Sequence, residues 1–203
     1  MNDISTKKLE EKVVIFLYVI SENKDRINQN TFRRYIYLYY LTISFLDSSK
    51  RTEPISIVIE KGDVTIIDYD SIIDDLKTRG FIEMEESDII IKTPLIDFIE
   101  PYIQNQNGVL FDQYKGIKPF VSLLQSYNDQ FVFTIFFNEP TFSKASLRGL
   151  DQIQSSNSKL KTLLKKFKEK IVNTKIDEYD VLAYWMDFIL KNYYIESESG
   201  DEE

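Results

Sequence analysis

Between Thr31 and Leu46 the chain carries Phe32, Tyr35, Tyr37, Tyr39, Tyr40 and Phe45 among Ile and Leu, with two arginines as its charged residues. Read as a helix, this segment is apolar or aromatic around nearly its whole circumference. A helix of that kind cannot lie on a surface with one face in water. It sits at the centre of a core, or a partner covers part of it. The four tyrosines Tyr35, Tyr37, Tyr39 and Tyr40 are therefore candidates for a protein interface, with a central core position as the alternative. Asn30 or Thr31 is placed to cap this helix.

The flanking pattern supports a domain built around that helix. Leu9, Val13, Phe16, Leu17 and Ile20 recur at three- and four-residue steps and predict a helix over 6–22. A polar break, Ser21-Glu-Asn-Lys-Asp25, follows. Ile55, Ile57 and Ile59 alternate with Ser56, Val58 and Glu60, and Lys61-Gly62-Asp63 makes a turn into Val64–Asp68, so a β-hairpin is expected. Asp70 is expected to cap a helix to about Arg79, and Gly80 occupies the C′ position. A strand at Phe81–Met84, a polar turn at Glu85–Asp88 and a return strand at Ile89–Lys92 come next. Thr93-Pro94 then opens a helix through Leu95, Phe98, Ile99 and Tyr102. Helix, Gly, strand, short turn, strand, helix is the C-terminal order of a winged helix-turn-helix.

The second half reads as helical. Gln104-Asn-Gln-Asn-Gly108 looks like a linker. Helices are expected at Lys118–Tyr127, Asp129–Phe137, Thr141–Gln152, 159–172 and Asp177–Tyr193. The fold class is thus mainly α with small β. Residues 1–104 form a winged-helix-like domain with β-hairpins, 105–195 a helical domain, and 196–203 a disordered acidic tail.

Charge limits what the winged-helix element can do. Asp70, Asp74 and Asp75 outnumber Lys77 and Arg79 on its helix, and Glu85, Glu86 and Asp88 sit at the wing. Those acids would face phosphate and be repelled, so direct reading of DNA by this element is not expected. Docking or dimerisation suits it better, with a plain solvated face as the alternative. The basic concentration lies elsewhere, at Lys159, Lys161, Lys165, Lys166, Lys168 and Lys170, opposed by Glu169. Beside the apolar stripe Leu160, Leu163, Leu164, Phe167 and Ile171, these lysines could hold a phosphate backbone or an acidic partner surface. They could also be the solvated side of a core-packed helix. No aromatic is interleaved on their polar face, so base stacking is not indicated. Trp185 and Met186, in step with Leu182 and Ile189, read as core rather than as an interface anchor.

Several classes of chemistry lack their residues. The chain has no Cys and no His. Disulfide scaffolds, thiolate or imidazole zinc sites, Cys nucleophiles and His-based triads are excluded. A carboxylate-only Mg²⁺ site would need a ligand spacing that the paired acids do not show. Lys61-Gly62-Asp63 lacks the Gly-rich run and Gly-Lys-Ser/Thr ending of a phosphate loop. No enzyme activity, cofactor or metal is expected. The polar N-terminus and the short apolar run Val13–Ile20 predict neither signal peptide nor membrane span, which leaves the cytoplasm as the expected compartment. Net charge is −8, and the last eight residues hold five of the acids, so the body is only mildly acidic.

The aromatic segment Asn-Thr-Phe-Arg-Arg-Tyr-Ile-Tyr-Leu-Tyr-Tyr (Asn30–Tyr40), the hairpin and the winged-helix pattern at Asp70–Lys92 together resemble the small middle components of bacterial three-component ABC-ATPase defence systems, including the Lamassu type. The likeness covers roughly residues 5–104 and rests on layout. It implies a non-catalytic accessory subunit that accompanies an SMC/Rad50-like ATPase and an effector, often a nuclease, in anti-phage or anti-plasmid defence. DNA contact would then come through the complex, and no catalytic residues carry over. Two alternatives stand beside it. One is a stand-alone winged-helix transcription regulator. The other is a tandem winged-helix accessory subunit of SMC complexes, which would need a second wing hairpin that residues 105–195 do not display.

Overall fold

The computed structural model describes residues 3–50, 54–60, 63–145, 152–153, 158–171 and 175–199. The chain is mainly helical with small antiparallel sheets. In order it forms α1 (Asp3–Ser21), β1 (Arg26–Asn28), α2 (Gln29–Leu46), β2 (Ile55–Glu60), β3 (Asp63–Ile66), α3 (Tyr69–Thr78), β4 (Ile82–Glu85) and β5 (Asp88–Ile91). It continues with α4 (Thr93–Gln104), α5 (Val109–Gln125), α6 (Asp129–Asn138), α7 (Pro140–Ala145), β6 (Gln152–Ile153), α8 (Lys159–Lys170) and α9 (Glu178–Ser199).

The aromatic helix α2 is the hub. Tyr35, Tyr37, Tyr39 and Tyr40 are between 0% and 3% exposed. They are core residues, and their assignment to a partner interface is corrected: α1, α5, α6, α8 and α9 pack around α2 and leave those side chains no open face. Phe16 of α1 meets Tyr39 edge-on at 5.3 Å, and Phe120 of α5 lies 5.4 Å from the same ring. Tyr37 meets Phe136 of α6 at 5.1 Å. Such edge-to-face pairs add to plain area burial. One buried cluster therefore runs from Phe16 through α2 to Phe120, Phe136 and Trp185. The segment 105–108, read as a linker between a 1–104 and a 105–195 domain, is a short turn between α4 and α5, with the core continuous on both sides of it.

Among the described residues two three-stranded sheets flank the helices, in the orders β1-β5-β4 and β3-β2-β6. The β4–β5 hairpin pairs Glu85 with Asp88 and Ile82 with Ile91, and β1 adds antiparallel to β5 through Ile27 and Ile89. β1 lies just after the segment read as a polar break. Its single inward residue, Ile27, is too little for a periodicity to register. In the second sheet β6 pairs Ile153 with Ile55, so Gln152, expected at the end of a helix, lies in a strand. That helix is the short α7, and residues 146–151 lie outside the described residues.

Caps shift the expected boundaries. Asn28, not Asn30 or Thr31, caps α2: its side chain accepts from the amides of Asn30 at 3.0 Å and Thr31 at 3.4 Å. Helix α3 starts one residue before Asp70. Its N-cap position is Asp68, whose φ of 69° precludes the usual side-chain cap and whose carboxylate instead accepts from Thr6 on α1 at 2.7 Å. Gly80 takes φ +70° as expected. There Phe81 N donates to Leu76 O and Gly80 N to Lys77 O, the paired bonds of a Schellman stop. Helix α5 begins at Val109, earlier than Lys118, with Pro119 inside it. Residues 196–199, expected within a disordered tail, belong to α9, which runs to Ser199; residues 200–203 lie outside the described residues. Among the described residues no helix is long and apolar enough to cross a membrane.

Candidate functional site

The lysine-bearing helix α8 is anchored at both its start and its side. Ser158 caps it by accepting from Lys161 N at 2.9 Å, and the same hydroxyl donates to Leu41 O of α2 at 2.8 Å. Leu160 and Leu164 are fully buried. Leu163, assigned to the same stripe, lies at its outer edge, three residues after Leu160 and four before Phe167, and is 38% exposed.

The six lysines divide between the helix's edges. Lys161 and Lys168 are half-buried along one edge, where Lys168 forms a 2.6 Å ion pair with Glu178 at the start of α9. Lys159, Lys166 and Lys170 are exposed on the opposite edge, spaced −4, +3 and +7 from Leu163, so they surround that side chain. Lys165 is exposed between the two edges.

Beside the second edge lies an aromatic strip that sequence reading missed. Phe167 of α8 contacts the ring of Phe188 of α9 at 6.2 Å. Phe188 and Tyr184, one turn apart, are 51% and 52% exposed. Trp185 and Met186, by contrast, are buried as core. The strip was readable in part, since Tyr184 and Phe188 are four residues apart and out of phase with Leu182, Trp185 and Ile189. Nothing in the order of residues links that face to α8, twenty positions upstream.

The acids of α3 and the β4–β5 hairpin are largely held by bases of the same fold. Arg33 pairs with Asp70 at 3.3 Å, and Arg26 with Glu85 at 3.6 Å. Arg79 reaches Asp75 at 3.1 Å and Glu10 at 2.8 Å. Lys92 pairs with Glu83 and, by hydrogen bonding to it, lowers its carboxyl pKa below the ordinary value. Asp74 and Glu86 stand exposed, Glu86 at a positive φ in the hairpin turn. This surface presents no cationic cluster for a phosphate backbone.

A cleft of about 380 Å³ opens between α1 and α4, lined by Lys7, Glu10, Glu11, Arg79, Phe98 and Tyr102. The Arg79 guanidinium lies over the rings of Phe81 at 4.4 Å and Phe98 at 5.4 Å. Glu10 there is engaged with Arg79, and no nucleophile and base meet in the cleft. Among the described residues no group of three or more acids is arranged to hold a metal ion. The one fully buried carboxylate among the described residues, Glu139, is bound to Tyr37 and to the amides that open α7. No family model matches the chain, and no curated protein or solved structure matches it either.

Proposed function

We propose that the chain is a non-catalytic accessory subunit of an SMC/Rad50-like ATPase complex acting in anti-phage or anti-plasmid defence, docking through protein contacts beside an effector subunit. The order α1, β1, α2, α3, β4, β5, with β1 closing on the β4–β5 hairpin, supports a winged-helix reading of the N-terminal half, in which β2–β3 is an insertion between α2 and α3. In that reading α3 stands where a DNA-reading helix would stand.

The observation that carries the docking role is the outer face of α3 and its hairpin. Four of its acids are paired with Arg33, Arg79, Arg26 and Lys92, and of its remaining exposed charges Asp74 and Glu86 are negative and Lys77 positive. A surface of that kind fits a basic or mixed-charge protein patch and disfavours duplex DNA. The defence-complex assignment rests on the resemblance in layout over residues 5–104.

Co-expression with the products of the adjacent genes tests the proposal. An SMC-like ATPase should co-elute with the tagged chain at fixed stoichiometry through gel filtration. Elution of the chain alone, or tight salt-sensitive binding of the isolated chain to duplex DNA, would favour the stand-alone regulator.

A further inference from the structure

Lys159, Lys166 and Lys170 share an edge of α8, and Phe167 of the same helix meets the half-exposed ring of Phe188 on α9 at 6.2 Å, with Tyr184 half-exposed one turn before Phe188. Lys166 and Lys170 have no acid partner among the described residues. Lys191, three residues after Phe188, extends the cationic rim on the α9 side and is exposed. Of the nearby acids, Glu169 is exposed on α8 itself, three residues after Lys166, and three others have partners. Glu178 is held by Lys168, Asp187 accepts from the Tyr127 hydroxyl at 3.0 Å, and the Asp180 carboxylate accepts from Asp177 N at 3.3 Å. Flexible cations therefore lie near a pair of half-exposed aromatic rings.

We propose that this α8–α9 face binds single-stranded nucleic acid, with Lys166, Lys170 and Lys191 on the phosphates and Phe188 and Tyr184 stacking with the bases. Stacking platforms beside a cationic track are how sequence-tolerant single-strand binding is built. A duplex is a poor fit: its bases are already stacked, so Leu163, Phe188 and Tyr184 would be pressed against phosphate with no ring face to meet. This site is separate from the α3 face, and the full-length chain alone suffices to examine it, so its failure leaves the docking proposal untouched.

The test is fluorescence anisotropy of the full chain with a labelled oligothymidylate of about 15 nucleotides, against a duplex of equal length. The single strand should bind about tenfold more tightly than the duplex, and its affinity should fall about tenfold between roughly 50 and 200 mM salt. Phe188→Ala and Tyr184→Ala should each weaken it by about tenfold, while Phe188→Trp preserves it. Lys166→Glu with Lys170→Glu should abolish it. Thermal melts identify variants that keep the fold, and the Trp variant supplies a comparison that retains the ring. No binding at low salt, equal affinity for duplex, or binding indifferent to Phe188→Ala would each overturn the proposal. So would binding of a polyglutamate peptide with the oligonucleotide left unbound.

Discussion

The Tyr37 hydroxyl donates a 2.5 Å hydrogen bond to Glu139, a carboxylate 102 positions further along the chain, and both side chains are fully buried. Glu139 also accepts from Thr141 N at 2.8 Å and from Phe142 N, so it serves as the N-terminal cap of α7. A charged group deep in a core is tolerated when its lone pairs are met by donors, and here three donors meet it. The bond ties the central helix of the first half to the helical second half. Removing one donor should therefore be felt across the whole molecule.

Tyr37→Phe keeps the ring against Phe136 and deletes the hydroxyl, leaving Glu139 short of a donor. The expected loss is about 2 kcal/mol, a fall in Tm of roughly 4–8 °C for a chain of this size. Thermal denaturation followed by circular dichroism measures it. A shift within error would mean that the bond contributes nothing net.

The same carboxylate gives a pH signature. Burial, its largest influence, raises the Glu139 pKa above the ordinary carboxylate value, against the lowering effect of the Tyr37 and amide bonds. The folded chain thus keeps the proton to higher pH than the unfolded chain does. The stabilisation from that proton is full below the unfolded carboxyl's pKa and is lost as pH rises through the folded value. Glu139→Gln removes the titration. The Tm advantage of wild type over Glu139→Gln should shrink as pH rises from about 4 to 7. A constant difference across that range would contradict the assignment.

Arg79 joins three elements at the end of α3, pairing with Glu10 of α1 and lying over Phe81 and, on α4, Phe98. It is a third exposed, so its ion pairs are discounted for solvent screening. Arg79→Ala is expected to cost about 1–2 kcal/mol, most of it from ring stacking and covered apolar surface. Urea unfolding should show that cost changing little with added salt. A cost that vanished in high salt would assign it to the ion pairs instead.

Helix α8 offers a paired comparison. Leu164→Ala opens a cavity in the core and should cost about 2–5 kcal/mol, whereas Leu163→Ala should stay within about 0.5 kcal/mol. Equal losses at the two positions would place α8 in the wrong rotation about its axis.

Much of this architecture was legible in the sequence. Gly80 marked its turn because a positive φ there suits glycine. The hairpins at 55–66 and 82–91 announced themselves by alternation and turn residues, and the long helices by their period. What could not be read was set by contacts distant in sequence. Whether Tyr35, Tyr37, Tyr39 and Tyr40 are core or interface depends on how many helices surround α2, which no local pattern encodes. Strand β1 exists because β5 offers it an edge, and Ile27 by itself carries no signal. The aromatic strip beside the lysines arises from α9 packing on α8, so a search for interleaved aromatics within α8 could not find it. Sequence reading also overstated the negative face of α3, since the arginines that neutralise Asp70 and Glu85 come from α2 and β1.

The docking proposal is tested most directly by co-purifying the tagged chain from its native operon in two forms, wild type and a variant with Asp74→Lys and Glu86→Lys on the α3 face. The proposal predicts that wild type brings down an SMC-like ATPase at fixed stoichiometry, and that the variant, melting within about 2 °C of wild type because both positions are exposed, loses it. Recovery of wild type without an ATPase, or undiminished recovery of the ATPase by the variant, would contradict it.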